Sequence, residues 1–265
     1  MKKSYAILNT FVILAVIAWN YIINTGIING KTVGEISDKY QNLFTPAGYA
    51  FSIWGIIFLG LLVLSFSQLR SAFKKGDQDE TILQIGPWLI IANLGNAAWL
   101  WCWLSEQTGI TVLVMAVILV SLLRIVYRLN MEKHDASMRI IATVWWPISI
   151  YAGWITVAAI ANISAWLTKL NWHWLFTDIQ WTIIMISIAA ILNLLIIYTR
   201  NMREFAAVGV WAIIAIGVRH WDEIVMIQWV CVFWAAVLLI SILLHAYKNR
   251  DENPFNRLFE GSRRR

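Results

Sequence analysis

Three sets of aromatic and amide residues recur in this chain at helical spacing. Phe51, Trp54 and Phe58 are three and four residues apart, which returns them to one face of a helix. Asn96, Trp99 and Trp103 fall within about 60° of one another at 3.6 residues per turn. Tyr151, Trp154, Ala158 and Asn162 form a third stripe, and Pro147, a turn before it, can free a backbone carbonyl or bend the helix. The chemistry open to such residues is non-covalent: an indole offers a broad apolar face and one N–H donor, and an amide offers both a donor and an acceptor. An Asn within a bilayer must be paired, so Asn96 and Asn162 are expected to face the bundle interior. There they bond a neighbouring helix, the simpler reading, or a ligand.

Covalent and redox chemistry have less to draw on. The chain contains neither HExxH nor GxSxG. None of its 15 acidic residues lies mid-run, where an ion-coupled transporter would hold one, and the last apolar run has no Lys before Lys248 to form a retinal Schiff base. His134, His173 and His220 sit in loops or at run ends and His245 in a final turn, which argues against axial haem ligation. Ser149, Ser164, Ser187 and Ser241 read as packing serines, and Cys102 and Cys231 as packing residues rather than a disulfide.

The elements that carry these residues are membrane-spanning. The chain is 60% hydrophobic and 14% charged, with a mean hydropathy of +0.65, whereas a soluble protein is about a quarter charged. An all-α integral membrane protein is therefore expected. Eight apolar runs are candidate spans: Tyr5 to Gly26, Gly48 to Leu69, Ile82 to Leu104, Ile110 to Leu129, Ile140 to Leu167, Ile179 to Tyr198, Phe205 to Val218 and Ile224 to Tyr247. The seventh is the shortest. With eight spans, 17 of the 21 Lys and Arg fall on the side of the termini, leaving only Lys31, Lys39, Lys169 and Arg219 opposite. The positive-inside rule then predicts cytoplasmic termini. The first run follows Lys2 and Lys3 but has no small-x-small cleavage site and reads as a retained helix. The basic balance follows from membrane orientation and implies no nucleic-acid partner.

Most of the 17 tryptophans belong to the boundary. Trp88, Trp101, Trp145, Trp146, Trp166, Trp172, Trp174, Trp181 and Trp221 lie near run ends, where an aromatic belt is expected. Only Trp54, Trp99 and Trp154 combine depth with a shared polar face. The connection from Ile27 to Ala47, with Gly30, Gly34 and Pro46, is long for a compact bundle and reads as a lid or a linker. The turn from Ser105 to Gly109 is short and makes the third and fourth spans tightly antiparallel.

The pattern resembles the tryptophan-rich sensory proteins, TspO, whose animal members are called translocator protein. In that family the second helix opens with a double proline, then an aromatic pair and a deep Trp with an aromatic four residues on. Pro46, Trp54 and Phe58 keep the spacing, while Thr45 replaces the first proline and Tyr49 and Phe51 are displaced by one residue. The family's Asn-x-x-Trp is matched by Asn96 and Trp99, and its fifth helix by Tyr151, Trp154, Ala158 and Asn162. This resemblance covers about residues 1–170.

The resemblance implies a five-helix ligand-binding unit over 1–170; outside it, the apolar runs and charge pattern give a three-helix extension over 171–248 and a basic cytoplasmic tail over 249–265. It implies a pocket between helices, opening toward the long loop, for a planar hydrophobic ligand such as a porphyrin, a haem breakdown product or a sterol. Its wall would comprise Pro46, Phe51, Trp54, Phe58, Asn96, Trp99, Tyr151, Trp154, Ala158 and Asn162. No cofactor is required and no metal is expected; a porphyrin or haem-related molecule would be a ligand. The expected protein is a multi-pass protein of a bacterial inner membrane, able to form a homodimer, acting as a sensor or carrier rather than an enzyme. A small-solute transporter and a tetrapyrrole-degrading enzyme are the alternatives.

Overall fold

A computed structural model of the chain describes residues 1–27, 30–75, 80–133, 136–172 and 175–249. His134, His173, Trp174 and the tail from Arg250 onward lie outside the described residues. All regular structure among the described residues is helical. Eight helices reach 17 residues or more: α1 (Lys2–Ile22), α2 (Ile53–Phe73), α3 (Trp88–Leu104), α4 (Thr108–Arg128), α5 (Trp146–Lys169), α6 (Asp178–Arg200), α7 (Arg203–Arg219) and α8 (Val225–Lys248).

Each expected run is helical, but one is broken in two and not all are long spans. Six helical segments are long and apolar enough to cross a membrane, and α3, at 17 residues, falls short. The run from Ile82 to Leu104 does not form one helix. A short helix, Thr81–Ile85, ends at Gly86 with φ of 52°, a left-handed turn that glycine adopts without a Cβ clash, and Pro87 then starts α3. The seventh run forms a helix also of 17 residues.

Helix α5 is the hub. The segment Met138–Lys169 has 67% of its most apolar stretch buried, against 33–39% in the other five long segments. It packs against α2, α4, α6 and α7. Three close approaches need glycine: a Cβ on Gly209 in α7 would lie 2.5 Å from the Asn193 side chain in α6, one on Gly153 2.7 Å from the carbonyl oxygen of Phe205 in α7, and one on Gly95 in α3 2.7 Å from Ile118 in α4. The last contact gives the tight α3–α4 pair that the short turn predicts.

The boundary tryptophans divide by facing. Trp101, Trp166, Trp172 and Trp221 are exposed, as a belt requires, whereas Trp145 is buried in the core. Nearness to a run end fixes a side chain's depth and leaves its facing free, so the belt reading fails for Trp145. Both cysteines are free. Ser164 and Ser241 bond carbonyls one turn back in their own helices, and Ser187 in α6 accepts the indole N–H of Trp234 in α8 at 3.1 Å.

Candidate ligand chamber

Local sequence explains how the walls are set. After Pro46 the chain makes a 3-10 turn over Gly48–Ser52 that leads directly into α2 and brings Phe51 and Trp54 to one side. Ahead of α5 the backbone widens into a π turn over Ile141–Trp145, where the Trp146 N–H reaches back to the Ile141 carbonyl. Pro147, lacking an N–H, follows immediately, and wide turns of this kind accommodate such a gap. The ring of Pro147 sits against Gly60 of α2, where a Cβ would come within 3.2 Å of it.

Between these walls lie two adjoining chambers. The inner one is small, about 50 Å³, and is bounded by α2, α3, α4, α5 and the loop after α1. The outer one, about 650 Å³, is bounded by α1, α2, α3, the same loop and Arg219 of α7. Pro46, Phe51, Trp54 and Trp99 line both. Phe58 lines the outer chamber, and Trp154, Ala158 and Asn162 the inner. Trp54 is the centre of the aromatic cluster. Phe58 stacks on it at 5.4 Å, and Tyr151 and Trp154 meet it edge-on at 5.9 and 6.5 Å. Phe51 meets Trp154 edge-on at 5.9 Å.

The indole donors differ in what they hold. The Trp99 N–H donates to Asn162 Oδ1 at 3.0 Å and that of Trp103 to the Val33 carbonyl at 3.2 Å. Among the described residues, the N–H groups of Trp54 and Trp154 make no hydrogen bond. Two of the ten expected wall residues stand back from the empty space. Asn96 is buried and accepts the Asn20 side-chain amide at 2.9 Å, so it joins α3 to α1. Tyr151 is fully buried behind Trp54, with its hydroxyl unpartnered. Wall residues that periodicity did not single out are Asn20 in α1, Met115 in α4, and Val33, Ser37 and Tyr40 in the loop.

That loop is a structured cover. Its helix, Val33–Lys39, starts with a capping box in which the Thr32 hydroxyl accepts the Glu35 N–H and the Glu35 carboxylate accepts the Thr32 N–H. Thr32 followed three residues later by Glu35 was the sequence signal for it. One edge is pinned at Glu106, in the α3–α4 turn with φ of 59°. Its carboxylate pairs with Lys31 at 3.0 Å and with Lys39 and the Tyr40 hydroxyl, and its carbonyl accepts the Lys169 ammonium. The Lys39, Tyr40 and Lys31 contacts hold the Glu106 carboxyl down at about 2. Burial, and then the hydrogen bond to this carboxylate, push the Tyr40 phenol up to about 12.

The other edge is pinned by α7. The Ala47 N–H donates to the Ala215 carbonyl at 3.0 Å, and Trp211 donates its indole N–H to the Ala50 carbonyl at 3.1 Å. Arg219 donates to the Pro46 carbonyl at 3.1 Å, and His220 Nε2 contacts the Leu43 carbonyl at 2.8 Å. Lys31, Lys39, Lys169 and Arg219, the four basic residues set apart by the charge pattern, thus all gather at this end of the bundle and hold the cover.

Among the described residues no group of three His, Cys, Asp or Glu could hold a metal. What the arrangement offers is apolar contact, ring faces and two unspent N–H donors under a fastened cover. A family model described as TSPO-like protein matches residues 6–244, and so takes in the three helices after residue 170. No curated protein and no solved structure matches the chain.

Proposed function

We propose, from the premise that this chain belongs to the TSPO-like protein family, that it is a membrane sensor or carrier holding a planar hydrophobic ligand in the outer chamber, against the aromatic residues it shares with the inner one. The single observation that carries this reading is the pair of unbonded indole N–H groups, on Trp54 and Trp154, beside apolar empty space beneath a fastened loop. Ring faces there suit a porphyrin, another tetrapyrrole or a sterol-like molecule, and the free donors suit a carbonyl or ring nitrogen on it.

The protein is multi-pass and apolar. In the reading that uses all of its long helices, it crosses the membrane eight times with both termini cytoplasmic, in a bacterial inner membrane. The 17 residues of α3 and of α7 reach about 25 Å at 1.5 Å per residue, a short but usable span where the bilayer thins. Supporting this is the charge pattern, which turns against itself if α7 fails to cross. A reporter fused after Arg265 is then cytoplasmic; a signal from the opposite side overturns the eight-span reading.

Titration of the purified protein with protoporphyrin, followed by tryptophan quenching, tests the ligand reading. Quenching is expected in the wild type and is expected to weaken in Trp54→Ala and Trp154→Ala. Unchanged quenching in both variants overturns the chamber as the site. Flux into proteoliposomes then separates carrier from sensor, and product analysis under light detects turnover.

A further inference from the structure

Resting on the ligand reading above, we infer that Arg219 recognises a carboxylate, so that the ligand is an amphiphile with a planar apolar body and an acidic group at the edge of the outer chamber. Among the residues lining the two chambers, Arg219 is the one cation and Asp38 the one anion. The two are unevenly placed. The Arg219 side chain is 19% exposed and the Asp38 side chain 71%, and their closest atoms, Nη2 and Oδ1, stand 3.7 Å apart. That is too far for a hydrogen bond. Nη1 is spent on the Pro46 carbonyl at 3.1 Å, and among the described residues no acceptor lies within bonding distance of Nη2.

The other cations at this end are engaged. Lys31 and Lys39 share the Glu106 carboxylate, and Lys169 holds the Glu106 carbonyl while lying over the Tyr40 ring. Arg219 is therefore a largely desolvated guanidinium with a loose partner, beside apolar walls. A planar guanidinium matches a carboxylate with two parallel N–H donors. An incoming carboxylate takes the place of Asp38, which loses little because it is already in solvent. Arg219 stands on α7, so acid recognition would come from a helix that contributes no aromatic wall.

The test uses the full chain in detergent at pH 7.5, with protoporphyrin IX and its dimethyl ester as probes. They share the ring and differ in charge. The wild type is expected to bind the acid about tenfold more tightly, the scale of one charge-assisted hydrogen-bonded pair. Arg219→Gln removes that preference by weakening the acid alone, Arg219→Lys keeps part of it, and Asp38→Asn strengthens the acid. Equal binding of acid and ester by the wild type overturns the inference, as does equal weakening of both in Arg219→Gln, which would make the residue a fastener of the loop only. If Arg219→Gln does not fold, Arg219→Lys and Asp38→Asn decide: no change in the acid-to-ester ratio in either overturns it. Quenching by neither probe in the wild type overturns the chamber reading and this inference together. Equal binding of both, lost in Trp154→Ala, overturns this inference alone.

Discussion

On one side of α5, helices α2 and α3 join it in turning ring faces toward empty space. On the other side, among the described residues, α6 and α8 contribute nothing to the chambers, and α7 gives the outer one Arg219 but no aromatic ring and holds the backbone of the loop that covers them. The two regions are therefore a wall and a latch. A wall residue acts on a ligand through surface it loses when truncated, whereas a latch residue acts through the fraction of molecules whose cover is closed. Buried polar groups occur on both sides, so burial alone does not mark a site. In the half of the bundle away from the cover, the Asn9 amide donates to Gln68 at 2.9 Å and Thr143 to Ser67 at 3.0 Å, joining helices with residues that line neither chamber.

The largest expected effect is on the wall. Trp154→Ala should weaken protoporphyrin binding by about thirtyfold or more, the scale of a central aromatic anchor, read by titration with quenching of the remaining tryptophans. Next is the latch. Trp211→Phe combined with His220→Ala removes two bonds to the loop and should weaken binding by about five- to tenfold, with faster amide exchange over residues 40–50. If the latch pair costs as much binding as Trp154→Ala, or leaves exchange over 40–50 unchanged, the division into wall and latch is wrong.

Asn96→Ala sharpens the comparison from within the wall helices. Because Asn96 is engaged with Asn20, the variant should lose about 1 kcal/mol of stability while binding stays within about twofold of wild type, measured by thermal unfolding and by the same titration. A large loss of affinity would return Asn96 to the site. The smallest effect is a pH dependence at the outer pin. The Glu106 carboxyl is lowered in the folded protein from 4.5 to about 2. Its stabilisation is thus fully present above pH 4.5, is lost as pH falls toward 2, and is absent below that. The gap in thermal midpoint between wild type and Glu106→Gln should be constant from pH 7 to about 5 and close at lower pH. A gap that instead widens on acidification would rule out Glu106 as an ionised pin.

The helices were legible because apolar runs of this length admit little else in a bilayer. The exception at Gly86 and Pro87 was written in the chain as a turn signal inside an apolar run, where the run's length outweighed it. Phe51 with Trp54, Trp99 with Trp103, and Trp154 with Ala158 and Asn162 were each legible as one face of a helical segment, because spacing of three and four residues is a property of a single helix. For Asn96 the spacing placed the amide in the interior, where it bonds a neighbouring helix as the simpler reading has it, but it could not say which helix: the partner, Asn20, lies 76 residues away in sequence, and periodicity within one helix does not report on another. The same holds for the latch. Nothing near Arg219 or His220 announces that their partners are Pro46 and Leu43, more than 170 residues earlier.

Those four latch contacts tie the cover to a helix whose far side packs on α8. Thermodynamic linkage makes such a tie symmetrical: whatever free energy a seated α7 adds to ligand affinity, a bound ligand returns as extra stability to the seating of α7. If the proposed ligand binds, its occupancy would then be felt in the packing of α7 on α8, a surface away from the chambers.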